Sequence, residues 1–91
     1  MIRKIVALIL RPWLRAKMAR CERRAEAAYA AMYDARPPAA KDCYDDARRY
    51  FTQAIEFAGR ADLADEVTRL TSRRSHIAEV YIRQFRWVGY D

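Results

Sequence analysis

Glycine, proline and cysteine are all scarce in this chain of 91 residues, which contains two Gly, three Pro and two Cys. So few turn-forming residues, together with abundant Ala, Arg, Leu and Glu, favour helices over strands. The two cysteines, Cys21 and Cys43, do not form a CxxC motif. We therefore expect reduced thiols in a cytoplasmic protein, and not a disulfide.

The sequence also lacks an apolar run of the roughly 20 residues that are needed to span a bilayer. Its most aliphatic run, residues 5–10 (IVALIL), follows Arg3 and Lys4 and is closed by Arg11 and Pro12. This run is too short for a signal peptide and has no small-residue cleavage site after it. We expect neither secretion nor a membrane span, and predict a cytoplasmic protein.

Side chains suited to catalysis or metal binding are few. His76 is the only histidine, and no second group accompanies it at a triad-like or metal-like spacing. His76 and Glu79 are one helical turn apart, in the reverse of the Glu-x-x-His order of di-iron bundles. Asp42, Asp45 and Asp46 lack the glycine and the closing glutamate of an EF-hand loop. The sequence predicts no enzyme, no metal site and no cofactor.

Acidic residues are rare in the first third of the chain. Residues 1–36 contain nine Lys and Arg against three acids, whereas residues 37–61 have four against four and residues 62–91 five against five. The whole net charge of +6 therefore belongs to the first third. Such an excess attracts phosphates, anionic lipid headgroups or acidic protein surfaces.

An apolar seam is present in residues 13–34, where apolar side chains recur at alternating steps of four and three, as on one face of a helix. Its members are Leu14, Met18, Cys21, Ala25, Ala28 and Met32. We predict a first helix over residues 13–34, because Pro37 and Pro38 disfavour its continuation. Residues 1–12 are predicted to form an N-terminal extension, with a kink or break at Arg11 where the helix begins. The sequence is compatible with three conformations of this extension: a buried turn, an interfacial segment and a short strand.

Two further helices are predicted over about residues 42–58 and 62–88. Asp42 and Asp62 are suited to cap their N-termini, and Gly59 and Gly89 to end them. Since connections of under ten residues make neighbouring helices antiparallel, residues 13–91 are expected to form a single all-α domain, an up-down-up three-helix bundle.

This topology predicts that opposite charges meet at both ends of the bundle. At one end, the acids that begin the third helix would face basic side chains of the first: Asp62, Asp65 and Glu66 against Arg15, Lys17 and Arg20. At the other end, the acids that begin the second helix would face arginines of the third: Asp42, Asp45 and Asp46 against Arg83 and Arg86. Surface pairs of this kind are worth about 0–1 kcal/mol each.

The third helix contains two features with more than one interpretation. Arg74 falls on the apolar stripe of this helix. Its aliphatic stem can pack there while the guanidinium reaches water. Alternatively, the guanidinium can form an ion pair with Glu26 that fixes the register of the helices. Residues 63–80 could instead form a helix-turn-helix, although Thr68 replaces the turn glycine. The apolar stripe from Leu70 to Val88 favours one unbroken helix.

The candidate binding residues are two tryptophans off the apolar stripes, Trp13 and Trp87, and the basic side chains of the first helix. The latter are Arg11, Arg15, Lys17, Arg20, Arg23 and Arg24. The sequence favours a small adaptor or inhibitor that docks on the acidic surface of a larger protein assembly. Two alternatives stay open: nucleic-acid binding by the same basic face, and peripheral attachment to an anionic membrane through residues 2–14. A homo-oligomer is also compatible, because the long third helix would leave apolar surface uncovered.

Overall fold

The computed structural model describes residues 2–85, and among these the side chains of all except residues 2–4, 7 and 37. Three α-helices follow one another: α1 (Ile2–Asp34), α2 (Pro37–Arg60) and α3 (Ala64–Gln84). Trp13 contacts Phe57, whereas Cys21, further along α1, contacts Gln53, which comes earlier in α2; α1 and α2 are therefore antiparallel. α3 returns parallel to α1, which confirms the predicted up-down-up three-helix bundle.

The predicted apolar seam of α1 contributes one side of the core. Four of its members are buried, Leu14, Met18, Ala25 and Met32, and two are half-buried, Cys21 and Ala28. α2 contributes mostly small side chains, namely Ala40, Tyr44, Ala47, Phe51, Ala54 and Ala58. α3 and the residue after it contribute Leu70, Ile77, Tyr81 and Phe85. The distance between packed helices depends on the side chains at their contact, and so the alanines of α2 allow both neighbours to approach it closely.

The start of α2 differs from the prediction. α2 begins at Pro37, and the prolines take its first two positions after an extended Arg36 (φ −80°, ψ 166°). A residue before proline prefers this extended conformation, and proline suits the first helical turn because no hydrogen bond is lost there. The cap predicted at Asp42 is therefore wrong, since Asp42 lies inside α2 and is exposed.

The turn between α2 and α3 is built around Asp62, which adopts a left-handed conformation with φ 58°. The Leu63 N–H donates to the Ala58 carbonyl at 2.9 Å, and the Asp62 N–H to the Gly59 carbonyl at 3.1 Å. These two bonds form a Schellman motif, in which Asp62 takes the position usually occupied by glycine. Asp62 thus ends α2 and does not cap α3, while Gly59 lies within α2.

α3 is continuous from Ala64 to Gln84. Its unbroken course through residues 68–72 leaves no turn for the helix-turn-helix alternative. The continuation of this helix to about residue 88, and the stop at Gly89, lie outside the described residues.

α1 is also continuous through Pro12, so that the break predicted at Arg11 is absent. At 1.5 Å per residue α1 is about 50 Å long, against about 36 Å for α2 and about 32 Å for α3. The Arg11 Nε donates to the Ala61 carbonyl in the α2–α3 turn at 3.2 Å. Residues 2–10 therefore project beyond the ends of the other two helices, and we call them the overhang.

The exposed position of Pro12 explains why the helix tolerates it. Proline removes the hydrogen bond to the carbonyl four residues earlier, here that of Leu8. Both Leu8 and Pro12 are exposed, so water can satisfy that carbonyl.

Candidate docking face of α1

Both acidic side chains of the first 33 residues are bound to α3. Arg69 donates from Nη1 and Nη2 to the two carboxylate oxygens of Glu22 at 2.6 and 2.9 Å. One turn further, Arg73 donates from Nε and Nη2 to those of Glu26 at 2.7 and 2.9 Å. Arg69 also binds Glu66 on its own helix, at 2.6 Å. These bidentate pairs align α1 with α3.

Hydrogen bonds and partial burial shift the pKa values of two side chains of α1, Glu22 and Tyr29. The hydrogen bonds from Arg69 lower the pKa of Glu22, although partial burial opposes the shift. Burial, together with a 3.0 Å hydrogen bond to the Tyr33 hydroxyl, raises the pKa of Tyr29 to about 12. The Arg73 guanidinium lies over the Tyr29 ring, 5.1 Å from its centroid. The tyrosine pair thus extends the α1–α3 contact by polar and ring interactions.

We expect the Glu22–Arg69 pair to make stability depend on pH in the acid range. The folded pKa of Glu22 lies below its ordinary value of 4.5, and so its contribution is present above pH 4.5 and is lost as the pH falls through the folded pKa. Between neutral pH and about pH 3 the unfolding free energy should fall by up to about 1 kcal/mol more in the wild type than in Glu22→Gln. Urea denaturation across this range tests it; the same pH dependence in both proteins would contradict the pairing.

The charge pairing predicted for the start of α3 is wrong. Glu66 binds Arg69 on its own helix, and in the described part of the chain no salt bridge joins Asp62 or Asp65 to a basic side chain of α1. The helix faces explain this result for Lys17 and Arg20: at about 100° per residue they lie well away from the side of α1 that faces α3, which is occupied by Glu22 and Glu26.

The pairing predicted for the start of α2 is not observed either. Asp46 pairs with Arg49 on its own helix at 3.2 Å. Among the described residues no salt bridge reaches Arg83, and Arg86 lies outside them. With α2 starting at Pro37, Asp46 is an interior helical residue whose nearest cation is one turn away.

The six basic side chains predicted as a binding face fall into two groups. Three are engaged within the fold: Arg11 with the Ala61 carbonyl, Lys17 at 5.4 Å from the Trp13 ring centroid, and Arg24 at 5.8 Å from that of Tyr50. The other three, Arg15, Arg20 and Arg23, are exposed. No carboxylate of the described residues forms a salt bridge with any of the six.

The outer side of α1, opposite its apolar seam, joins the overhang to the basic residues. At about 100° per residue, positions 5, 9 and 13 share this side with positions 20, 23 and 24. We call these six residues the docking face: Ile5, Ile9, Trp13, Arg20, Arg23 and Arg24. Glu22 and Glu26 point to α3, and Asp34, which shares the outer side by the same spacing, lies about 15 Å beyond Arg24 at the end of α1. The docking face itself contains apolar and basic side chains.

Trp13 lies where the overhang meets the bundle. Its ring is half exposed and packs edge-on against Phe57, with ring centroids 6.4 Å apart. The Lys17 ammonium lies over the same ring. The bundle therefore holds Trp13 in place while leaving half of its surface accessible. Trp87, the second predicted tryptophan, lies outside the described residues.

The remaining sequence candidates are separated in space. The Arg74 Nη1 donates to the Thr52 hydroxyl at 3.1 Å, and the partner of Glu26 is the adjacent Arg73. Glu22 and Glu26 have the same i, i+4 spacing as Arg69 and Arg73, and this match could have predicted the two ion pairs from the sequence. His76 is exposed, and the described residues contain no group of three or more metal-ligating side chains. Both cysteines are free and half-buried.

No helix in the described part of the chain combines the length and the hydropathy needed to cross a membrane. A comparison of the chain with protein-family models, with curated proteins and with solved structures found no match.

Proposed function

We propose that this protein is a small, non-catalytic binding protein of the cytoplasm, an adaptor or inhibitor that docks through α1 on a larger assembly with an acidic surface. The observation that carries the proposal is the use of the charges of α1. Its two glutamates are bound to Arg69 and Arg73 of α3, which leaves its exposed arginines without an intramolecular carboxylate. A face of one charge sign that the fold does not neutralise favours an oppositely charged partner.

Nucleic-acid binding is a second candidate, favoured by one cluster at the edge of the α1–α2 pair. Arg24 and Arg49 lie over the Tyr50 ring, 5.8 and 5.0 Å from its centroid. Cations next to aromatic rings are a common element of single-strand binding surfaces. Two features of the cluster disfavour a nucleic acid. The two guanidiniums cover the Tyr50 ring on which a base would stack, and the Asp46 carboxylate, 3.2 Å from Arg49, would repel a phosphate.

We expect charge reversal on the docking face to abolish binding. The full chain would be immobilised, and nuclease-treated extract of the native host passed over it. Arg20→Glu/Arg23→Glu should retain about tenfold less of the partner than the wild type, because like charges would then meet at the contact. Arg36→Glu/Arg83→Glu is the matched control: it changes two exposed arginines at the far end of the bundle and lowers the net charge of +6 by the same four units.

The control variant should bind like the wild type, within about twofold. Equal retention by both variants, or equal loss, would mean that binding follows net charge and not the docking face, and would overturn the proposal. The proposal would also be overturned if the immobilised wild type retained no partner from the extract.

A further inference from the structure

We propose that the docking face also binds an anionic lipid bilayer, with α1 lying in the membrane interface and the overhang inserted at the boundary between headgroups and acyl chains. This inference goes beyond the proposed function, because it adds a lipid surface to the acidic assembly as a partner of the same face, and each partner has a test of its own. Four features of the described residues support it.

The first feature is the exposure of the overhang. Its aliphatic side chains are exposed to 58% at Ile5, 44% at Val6, 59% at Leu8, 72% at Ile9 and 38% at Leu10. The described parts of α2 and α3 cannot cover them, because α1 passes the α2–α3 turn at Arg11. Contiguous apolar surface of this kind on a small protein marks a contact with a partner or a membrane.

The second feature is the width of the apolar arc. At about 100° per residue, the exposed aliphatic side chains extend over about 200° of the helix circumference, from Leu8 through Ile9 to Leu10. A helix that packs on a protein usually presents a narrower stripe of about 100°. Lipid closes around an inserted helix and can cover the wider arc. The sequence of this segment is also rich in basic residues, with Arg3, Lys4 and Arg11, as is typical of interfacial membrane helices.

The third feature is the position of Trp13. Tryptophan is enriched at the level of lipid headgroups, because its ring is apolar and its N–H is polar. Trp13 is 50% exposed at the point where the aliphatic overhang gives way to the basic part of α1. Its edge-on contact with Phe57 holds the ring in this place before any membrane is met.

The fourth feature is the arrangement of charge behind Trp13. Arg20, Arg23 and Arg24 continue on the same outer side, beginning about 10 Å further along the helix. With α1 flat on a bilayer, Arg20 and Arg23 would reach headgroup phosphates, at about 1 kcal/mol each near an anionic surface, whereas Arg24 lies over the Tyr50 ring of α2. The apolar seam of α1 that packs on the bundle lies on the opposite side from Ile5, Ile9 and Arg23, so that α2 and α3 would lie away from the membrane.

The test uses the full chain and vesicles of defined composition. The wild type should co-sediment with phosphatidylcholine vesicles that contain about 30% phosphatidylserine, and about tenfold less with pure phosphatidylcholine. In a Trp87→Phe background Trp13 is the single tryptophan, and its emission should shift to the blue on binding. Circular dichroism would verify that each variant remains helical.

Two matched pairs of variants test the residues. Ile9→Asp should weaken vesicle binding by about tenfold or more, because it places a charge where an apolar side chain inserts. Ile82→Asp, the same change at an exposed isoleucine of α3, should bind like the wild type. Arg20→Glu/Arg23→Glu should also weaken binding by about tenfold or more, and Arg36→Glu/Arg83→Glu much less.

Several results would overturn the inference. The first is absence of binding to anionic vesicles, and the second is equal binding of Ile9→Asp and Ile82→Asp. The third is a dimer in vesicle-free solution that Ile9→Asp dissociates, because a second copy of the chain would then cover the overhang. If vesicles fail to bind while immobilised protein still retains a soluble partner through Arg20 and Arg23, the membrane assignment falls and the proposed function stands. If both assays are negative, both fall.

Discussion

Replacement of Phe51 by alanine is expected to lower the free energy of unfolding by about 3–5 kcal/mol. The Phe51 ring lies in the middle of α2 and is completely buried. Its removal loses the transfer free energy of the ring and leaves a cavity that helices held by short connections cannot close fully. Domains of this size are stable by about 5–15 kcal/mol in total, so the variant would lose a large share of its stability.

Urea denaturation followed by circular dichroism would measure this effect. Ile9→Ala is the matched control, because Ile9 is 72% exposed in the overhang; its unfolding free energy should stay within about 0.5 kcal/mol of the wild type. A loss below about 1 kcal/mol in Phe51→Ala would contradict the buried position of the ring. A large loss in Ile9→Ala would mean that the overhang packs on the bundle.

The second large effect is expected from Ala54→Leu. Ala54 has no exposed surface and belongs to the row of alanines that lets α2 approach its neighbours. A leucine there has no space to occupy, and must displace α1 or α3 or adopt a strained rotamer. Overpacking of this kind costs about 1–3 kcal/mol.

The matched control for this variant is Ala31→Leu, which makes the same change on the exposed side of α1. Leucine and alanine differ little in helix propensity, and so the control should be nearly neutral. Urea denaturation would give both unfolding free energies, and near-ultraviolet circular dichroism of the tyrosines would report loosened packing. Equal stability of Ala54→Leu and Ala31→Leu would show that the packing at Ala54 is not tight.

The two stability predictions and the vesicle experiment concern different sides of the same helix pair. Phe51 and Ala54 face the core, where a change alters folding. Ile9, Arg20 and Arg23 face outward, where a change should alter binding and leave folding intact. This division explains how a chain of 91 residues can hold a core and also leave apolar side chains of α1 exposed.

The sequence by itself was sufficient for the number and order of the helices, for the core side of α1 and for the net charge, but not for the first residues of α1 and α2. The spacing of Leu14, Met18, Ala25 and Met32 repeats every three or four residues, and helical periodicity is a local property that needs no knowledge of neighbours. The short connections implied antiparallel helices, and the surplus of basic residues was a matter of counting. The main error of local reasoning was to assign Asp42 as a cap, since prolines can begin a helix as well as follow one.

Only the tertiary structure decided where the charges of α1 point and what its first ten residues do. Glu22 and Glu26 meet Arg69 and Arg73 because the packing of all three helices sets the register between α1 and α3, and a shift of one turn would change every pair. Residues 5, 6 and 8–10 are exposed because α1 extends past the turn that joins α2 to α3. Both outcomes depend on relative helix position, which arises from the packing of α1 and α3 on α2 and not from any local pattern.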